Sequence, residues 1–211
     1  MRIGIFGKLP VKRDFIALNL PQAFLHVWEE WLQASVAASR QQLGDAWKDQ
    51  FLTAPIWRFW LGRDICGQSV TGAFMPSVDG VGRYFPLCIC ACAEDGPPIS
   101  PPGAKPLHRW FDKVERALLQ ALAPEFSGEP VSLLDGLDLD AAVYGDDPLE
   151  NDVTRMLGDG LQKALAGESW WWSIGGGAFP VQLRRQKGLP GPYQFAGFMT
   201  YDTESPAKVL V

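Results

Sequence analysis

A chain of 211 residues with 47% hydrophobic and 20% charged side chains is long enough to bury a core and too apolar for an intrinsically disordered segment. The net charge of −5 and the lack of any dense Lys/Arg run argue against nucleic-acid binding, and no apolar run approaches the ~20 residues that cross a bilayer. The opening MRIGIFGKLP has neither the basic nor the apolar region of a signal peptide, so the expectation is a cytoplasmic protein without membrane insertion.

Residues 2–6 read as a strand that stops at the turn Gly7-Lys8-Leu9-Pro10. Asn19-Leu20-Pro21 announces a helix, because proline suits the first helical turn, and Phe24, Trp28, Leu32 and Val36 then recur every four residues to about Leu43. A shorter helix is expected from Asp45 to Phe51, and PIWRFWL, residues 55–61, suits a pleated surface. Strands near Gln68–Met75 and Tyr84–Glu94 flank the turn-rich PSVDGVGR and should pair antiparallel. The Pro-rich stretch 96–106 (GPPISPPGAKP) reads as an internal linker.

Beyond it, Leu107, Trp110, Phe111, Val114, Leu118, Ala121 and Leu122 lie on one stripe of a helix that ends before Pro124. Asp147-Pro148-Leu149-Glu150 reads as the capped start of another helix, with Leu149, Val153, Leu157 and Leu161 on one face. Trp170-Trp171-Trp172 forms an aromatic strand, Arg184, Arg185 and Lys187 read as a solvated loop, and Tyr193 to Tyr201 as a last strand. The parts describe one α+β domain over residues 1–211, a mainly antiparallel β-sheet with α-helices packed on it.

The same residues offer little chemistry. Cys88, Cys90 and Cys92 share one strand face about 6.7 Å apart, wider than the ~4.6 Å open to two thiolates on one zinc, and read as small buried hydrophobes. His26 and His108 are the only histidines, and no G-x-S-x-G elbow sets a serine beside either. The run Gly4 to Leu9 fails as a phosphate loop, with Arg2 where a glycine belongs and Leu9 where Ser or Thr would follow the lysine. The acidic residues Asp135, Asp138, Asp140, Asp146, Asp147, Glu150 and Asp152 match no calcium loop and read as a solvated connection. No cofactor or metal is therefore expected. Asp79 and Arg83 sit four apart around a turn, where an ion pair would fix the loop or display two charges to a ligand; Ser77 there reads as a turn-stabilising hydroxyl. Trp171 faces the opposite side of its strand from Trp170 and Trp172, so either side is a partner surface if exposed, or all three are core if helices cover both.

Three motifs carry a family resemblance: Gly7-Lys8-Leu9-Pro10 with Asp14-Phe15; Pro55-Ile56-Trp57-Arg58-Phe59; and Pro76-Ser77-Val78-Asp79 with Val81-Gly82-Arg83-Tyr84-Phe85-Pro86-Leu87. The chain resembles the TagF family of type VI secretion accessory proteins, densely over residues 4–90. Arg13 stands where the pattern usually has glycine, and Gly80 where it has arginine. The resemblance implies a non-enzymatic, post-translational repressor of type VI secretion in Gram-negative bacteria. Its implied partner is the forkhead-associated scaffold protein of that system, with a link to serine/threonine phosphatase or kinase signalling. Lys8, Asp14, Arg58, Ser77, Asp79, Arg83 and Trp171 are the candidate partner-binding or loop-organising residues. The competing expectation is a small-ligand or nucleotide-sensing domain, or an enzyme, with a pocket at Lys8, Asp14, Asp79 and Arg83.

Overall fold

The computed structural model describes residues 1–94, 98–102, 107–139, 160, 163–177 and 179–200. Seven strands, β1 (Arg2–Gly7), β2 (Ile16–Leu18), β3 (Trp57–Leu61), β4 (Val70–Met75), β5 (Leu87–Cys92), β6 (Glu168–Ser173) and β7 (Gln182–Lys187), form one sheet in the order β2-β1-β5-β4-β3-β6-β7. Every neighbouring pair is antiparallel. The α+β class expected from the sequence is therefore the one observed, and the sheet takes strands from both sides of the Pro-rich stretch. That stretch is tied to the core at Ile99, whose amide donates to Ser69 Oγ and whose carbonyl accepts from Trp60 Nε1, both at 2.8–2.9 Å.

Helices cover both faces, which is why β5 reads as an unbroken buried run rather than an alternation of apolar and polar residues. Along β5, Cys88, Cys90 and Cys92 face the layer of α1 (Gln22–Leu43), whereas Leu87, Ile89 and Ala91 face α4 (His108–Leu122). The short helices α2 (Trp47–Thr53) and α3 (Arg63–Cys66) lie between α1 and β3, and between β3 and β4. All four cysteines are free and buried, which for Cys88, Cys90 and Cys92 agrees with their reading as small buried hydrophobes. Burial pushes the Cys66 thiol up to about 12; Cys90 is raised mainly by burial, and Cys92 by its hydrogen bond with Cys90 and by burial.

The α1 layer is aromatic. Trp171 is sealed from solvent and packs between Trp28, Trp31, Phe59 and Phe198 at ring separations of 5.0–6.0 Å, with Nε1 donating to Ser169 Oγ at 2.8 Å. The expectation of an exposed tryptophan surface fails. Trp170 and Trp172 are half-buried on the α4 side and every other tryptophan is buried, because helices cover both faces of the sheet.

Two local expectations also need correction. The last strand expected from Tyr193 is replaced over Pro192–Phe198 by a 3₁₀ helix, and Tyr201 lies outside the described residues. Pro192 presets the first φ, the Gly191 amide donates to Gln194 Oε1 at 2.6 Å, and the three-residue spacing turns Phe195 and Phe198 onto Trp31 and Trp57. Arg184, Arg185 and Lys187 belong to β7 rather than to a loop. Arg185 makes a bidentate pair with Glu168 at 2.6 and 2.7 Å, while Arg184 lies over Trp57 and Phe198 and donates to the Gly197 carbonyl at 2.5 Å. Aromatic and carboxylate partners from other elements thus let a basic run join a sheet. The three-residue β2 and the helix α3 are too short to leave a periodic signal. The expected helix from Asp147, and the acidic residues from Asp140 onward, lie outside the described residues.

Truncating Trp171 should be among the most damaging single changes. Trp171→Ala is expected to cost about 3–5 kcal/mol, against less than about 0.5 kcal/mol for Leu52→Ala on an exposed face, read from urea denaturation midpoints.

Candidate functional site

The site begins with two loops that the sheet order brings side by side. β1 and β5 are neighbours, so the chain leaving β1 at Gly7 runs beside the chain entering β5 at Leu87. The approach is close: a Cβ on Gly7 would sit 2.1 Å from the Pro86 carbonyl oxygen, and its φ of +134° is one that glycine readily adopts. Gly80 is similarly constrained. Its amide donates to the Lys12 carbonyl at 2.8 Å, and a Cβ there would press on the Pro10 carbonyl at 2.9 Å. Gly80 is thus where the two loops touch.

Asp79 organises the contact. Its side chain is buried, and Oδ2 accepts from the Lys8 ammonium and from Arg83 Nε at 2.7 Å. Oδ1 accepts the backbone amides of Arg83 at 2.9 Å and Val81 at 3.1 Å, while the Asp79 amide donates to the Arg83 carbonyl. Burial alone would raise the carboxyl's pKa; the Lys8 hydrogen bond, followed by those from Arg83 and Val81, overrides it and holds the group well below the usual carboxylate range. Arg83 carries the lock across by donating from Nη2 to the Arg13 carbonyl. Ser77 closes the base, its hydroxyl donating to the Lys8 carbonyl at 2.7 Å.

The sequence candidates therefore divide. Lys8, Ser77, Asp79 and Arg83 converge, but on one another; Lys8, Ser77 and Asp79 are buried and hold the loops. Asp14 is exposed on the first loop. Arg58 lies elsewhere: from β3 it faces α4, stacks over Phe111 and pairs with Glu115 at 2.5 Å, tying helix to sheet. Trp171 is core on the opposite face. Sequence reasoning did not single out the exposed apolar residues of the two loops, Val11, Phe15 and Val81, at 40%, 44% and 55% exposure. Phe15 packs edge-on against Phe85 and lies under the Lys8 ammonium at 4.4 Å. Exposure of that kind leaves no mark in composition.

Ser77 is committed to the Lys8 carbonyl and Lys8 to the Asp79 carboxylate, so neither side chain is free as it stands to act as a nucleophile or base. Among the described residues no set of three His, Cys, Asp or Glu side chains is placed to hold a metal ion, and no helix is long and apolar enough to cross a membrane.

The family profile described as the TagF N-terminal domain, type VI secretion system-associated, matches residues 4–135. The chain belongs to the TagF family. That match contains both loops, Arg58 and the whole of α4. Among solved structures, the crystal structure of PA0076 from Pseudomonas aeruginosa PAO1 is similar to 98% of this TagF-family chain, over 97% of its own length, at 30% identity and a TM-score of 0.74. A search of curated proteins returned no match.

A depressed carboxylate fixes the sign of a pH effect. The stabilisation from Asp79 is complete above the ordinary aspartate pKa of about 3.9 and is lost as pH falls through the lower folded-state value. Asp79→Asn should lower Tm at neutral pH, and thermal melts at descending pH should show the gap from wild type narrowing below about pH 4.

Proposed function

We propose that this protein restrains assembly or firing of the type VI secretion apparatus after translation, by binding a cytoplasmic component of it, and that it does so without catalysis. The favoured component is the forkhead-associated scaffold protein. The observation that carries the reading is the two-loop surface: its family motifs fall within the matched residues, Lys8 and Arg83 are both bonded to Asp79, and the lock displays Val11, Phe15 and Val81 beside Asp14 and Arg83. A small apolar cluster rimmed by charge suits protein recognition, since desolvated apolar centres with polar rims carry most interface energy. The buried Lys8 ammonium would have to leave Asp79 before a nucleotide phosphate could use it, which weighs against the ligand-sensing alternative.

Co-purification with the scaffold protein tests this directly. Wild type should retain it, and a Val81→Asp, Asp14→Arg double variant should retain at least tenfold less while melting within a few degrees of wild type, because both side chains are exposed. Failure of wild type to retain the scaffold, or equal retention by the variant, would overturn the proposal. Thermal-shift screening with nucleotides bears on the alternative: a ligand at 100 times its Kd should stabilise by about 2.7 kcal/mol, and no shift is expected.

A further inference from the structure

The far edge of the sheet lies outside the residues matched to the family profile and has features that the first surface lacks. β7 has β6 on one side, and among the described residues no other strand pairs with its outer edge. The phase of the ladder follows from two hydrogen bonds. Gly62 donates to the Glu168 carbonyl, which directs the backbone of residue 168 and alternate residues of β6 towards β3; Gly188 donates to the Gly167 carbonyl, which places the β6–β7 bonds at the intervening positions. The amides and carbonyls of Leu183, Arg185 and Lys187 therefore point away from the sheet. An edge strand with open backbone groups is a template for another strand.

The side chains of this edge are basic at one end and apolar at the other. Lys187 is exposed, Arg185 is shared with Glu168, and the Arg184 guanidinium has two carbonyl-type acceptors and two aromatic rings around it but, among the described residues, no carboxylate. At the other end, Ile174 and Val181 stand one residue beyond the last β6–β7 pair, Ser173–Gln182, and are 58% and 66% exposed. Antiparallel pairing with a second copy would set the basic end of one β7 against the apolar end of the other, and the strand, QLRRQK, carries no carboxylate to pair with it.

We infer that the outer edge of β7 is a docking site for an extended acidic segment of a partner protein, which adds to the sheet as an eighth strand. Main-chain hydrogen bonds to Leu183, Arg185 and Lys187 hold the segment, carboxylates pair with the basic end, and apolar side chains settle beside Ile174 and Val181. This site is independent of the two-loop surface, so either can fail alone.

Fluorescence anisotropy with the full chain and a labelled eight-residue peptide of alternating glutamate and valine tests the inference. The expected result is saturable binding, at least tenfold weaker when lysine replaces glutamate and at least tenfold weaker when the peptide is N-methylated at alternate residues. On the protein side, Lys187→Pro should lose at least tenfold, because it removes an outward amide, whereas Lys187→Ala keeps that amide and should lose less than Lys187→Pro. Equal binding of the lysine or N-methylated peptide, or no binding at all, would overturn the inference. A concentration-dependent dimer that Lys187→Pro abolishes would overturn it in favour of a second copy.

Discussion

A carboxylate can be buried only where donors replace the water it loses, and Asp79 meets that condition by drawing on two segments far apart in sequence. Lys8 comes from the end of β1, and Arg83 from the loop that leads to β5. Neither loop has a core of its own, and both project beyond the sheet. Their mutual position depends on this one charge, with Ser77 and Gly80 adding backbone contacts that a bulkier or less polar residue would not permit. The exposed Phe15 and Val81 are consequences of the lock: with their backbones held, they have a fixed place at the surface rather than a path into the core.

The two faces of the sheet divide the remaining work. On one, α1 and the 3₁₀ helix Pro192–Phe198 close over stacked tryptophan and phenylalanine rings; on the other, α4 packs aliphatic and aromatic residues and is tied to β3 by Arg58. Arg58 shows how a family motif can be structural. Its guanidinium is consumed by Glu115, by Asp112 at 3.6 Å and by the Phe111 ring, so it leaves little for a partner.

Much of the fold could be read from periodicity. The four-residue recurrence in α1, the stripe of α4 and the cysteines at every second position of the apolar run in β5 were each strong enough to place the element within a few residues of its observed bounds. β7 could not be read that way, because its basic residues gain their place from Glu168, Trp57 and Phe198, contacts made only after the chain has folded. The 3₁₀ helix resembles a strand in sequence because Tyr193 and Phe195 are two apart, whereas the pair that packs, Phe195 and Phe198, is three apart. Within the candidate site, the pairing of Asp79 with Arg83 was legible as a four-residue spacing around a turn. The contribution of Lys8, 71 residues distant, was not, since only the β1–β5 pairing brings it there.

The cysteine-rich strand has a practical consequence. A thiol with its pKa near 12 is ionised in only about one molecule in 10⁵ at neutral pH, and Cys66 is buried as well; Cys88, Cys90 and Cys92 are sealed within the sheet. The native protein is therefore expected to react only slowly with maleimides, as thiol titration of the folded chain would show. A single cysteine introduced at an exposed position such as Val81 would take up a fluorophore or spin label on an otherwise unaltered background, and would turn the loop surface into a reporter of whatever settles on it.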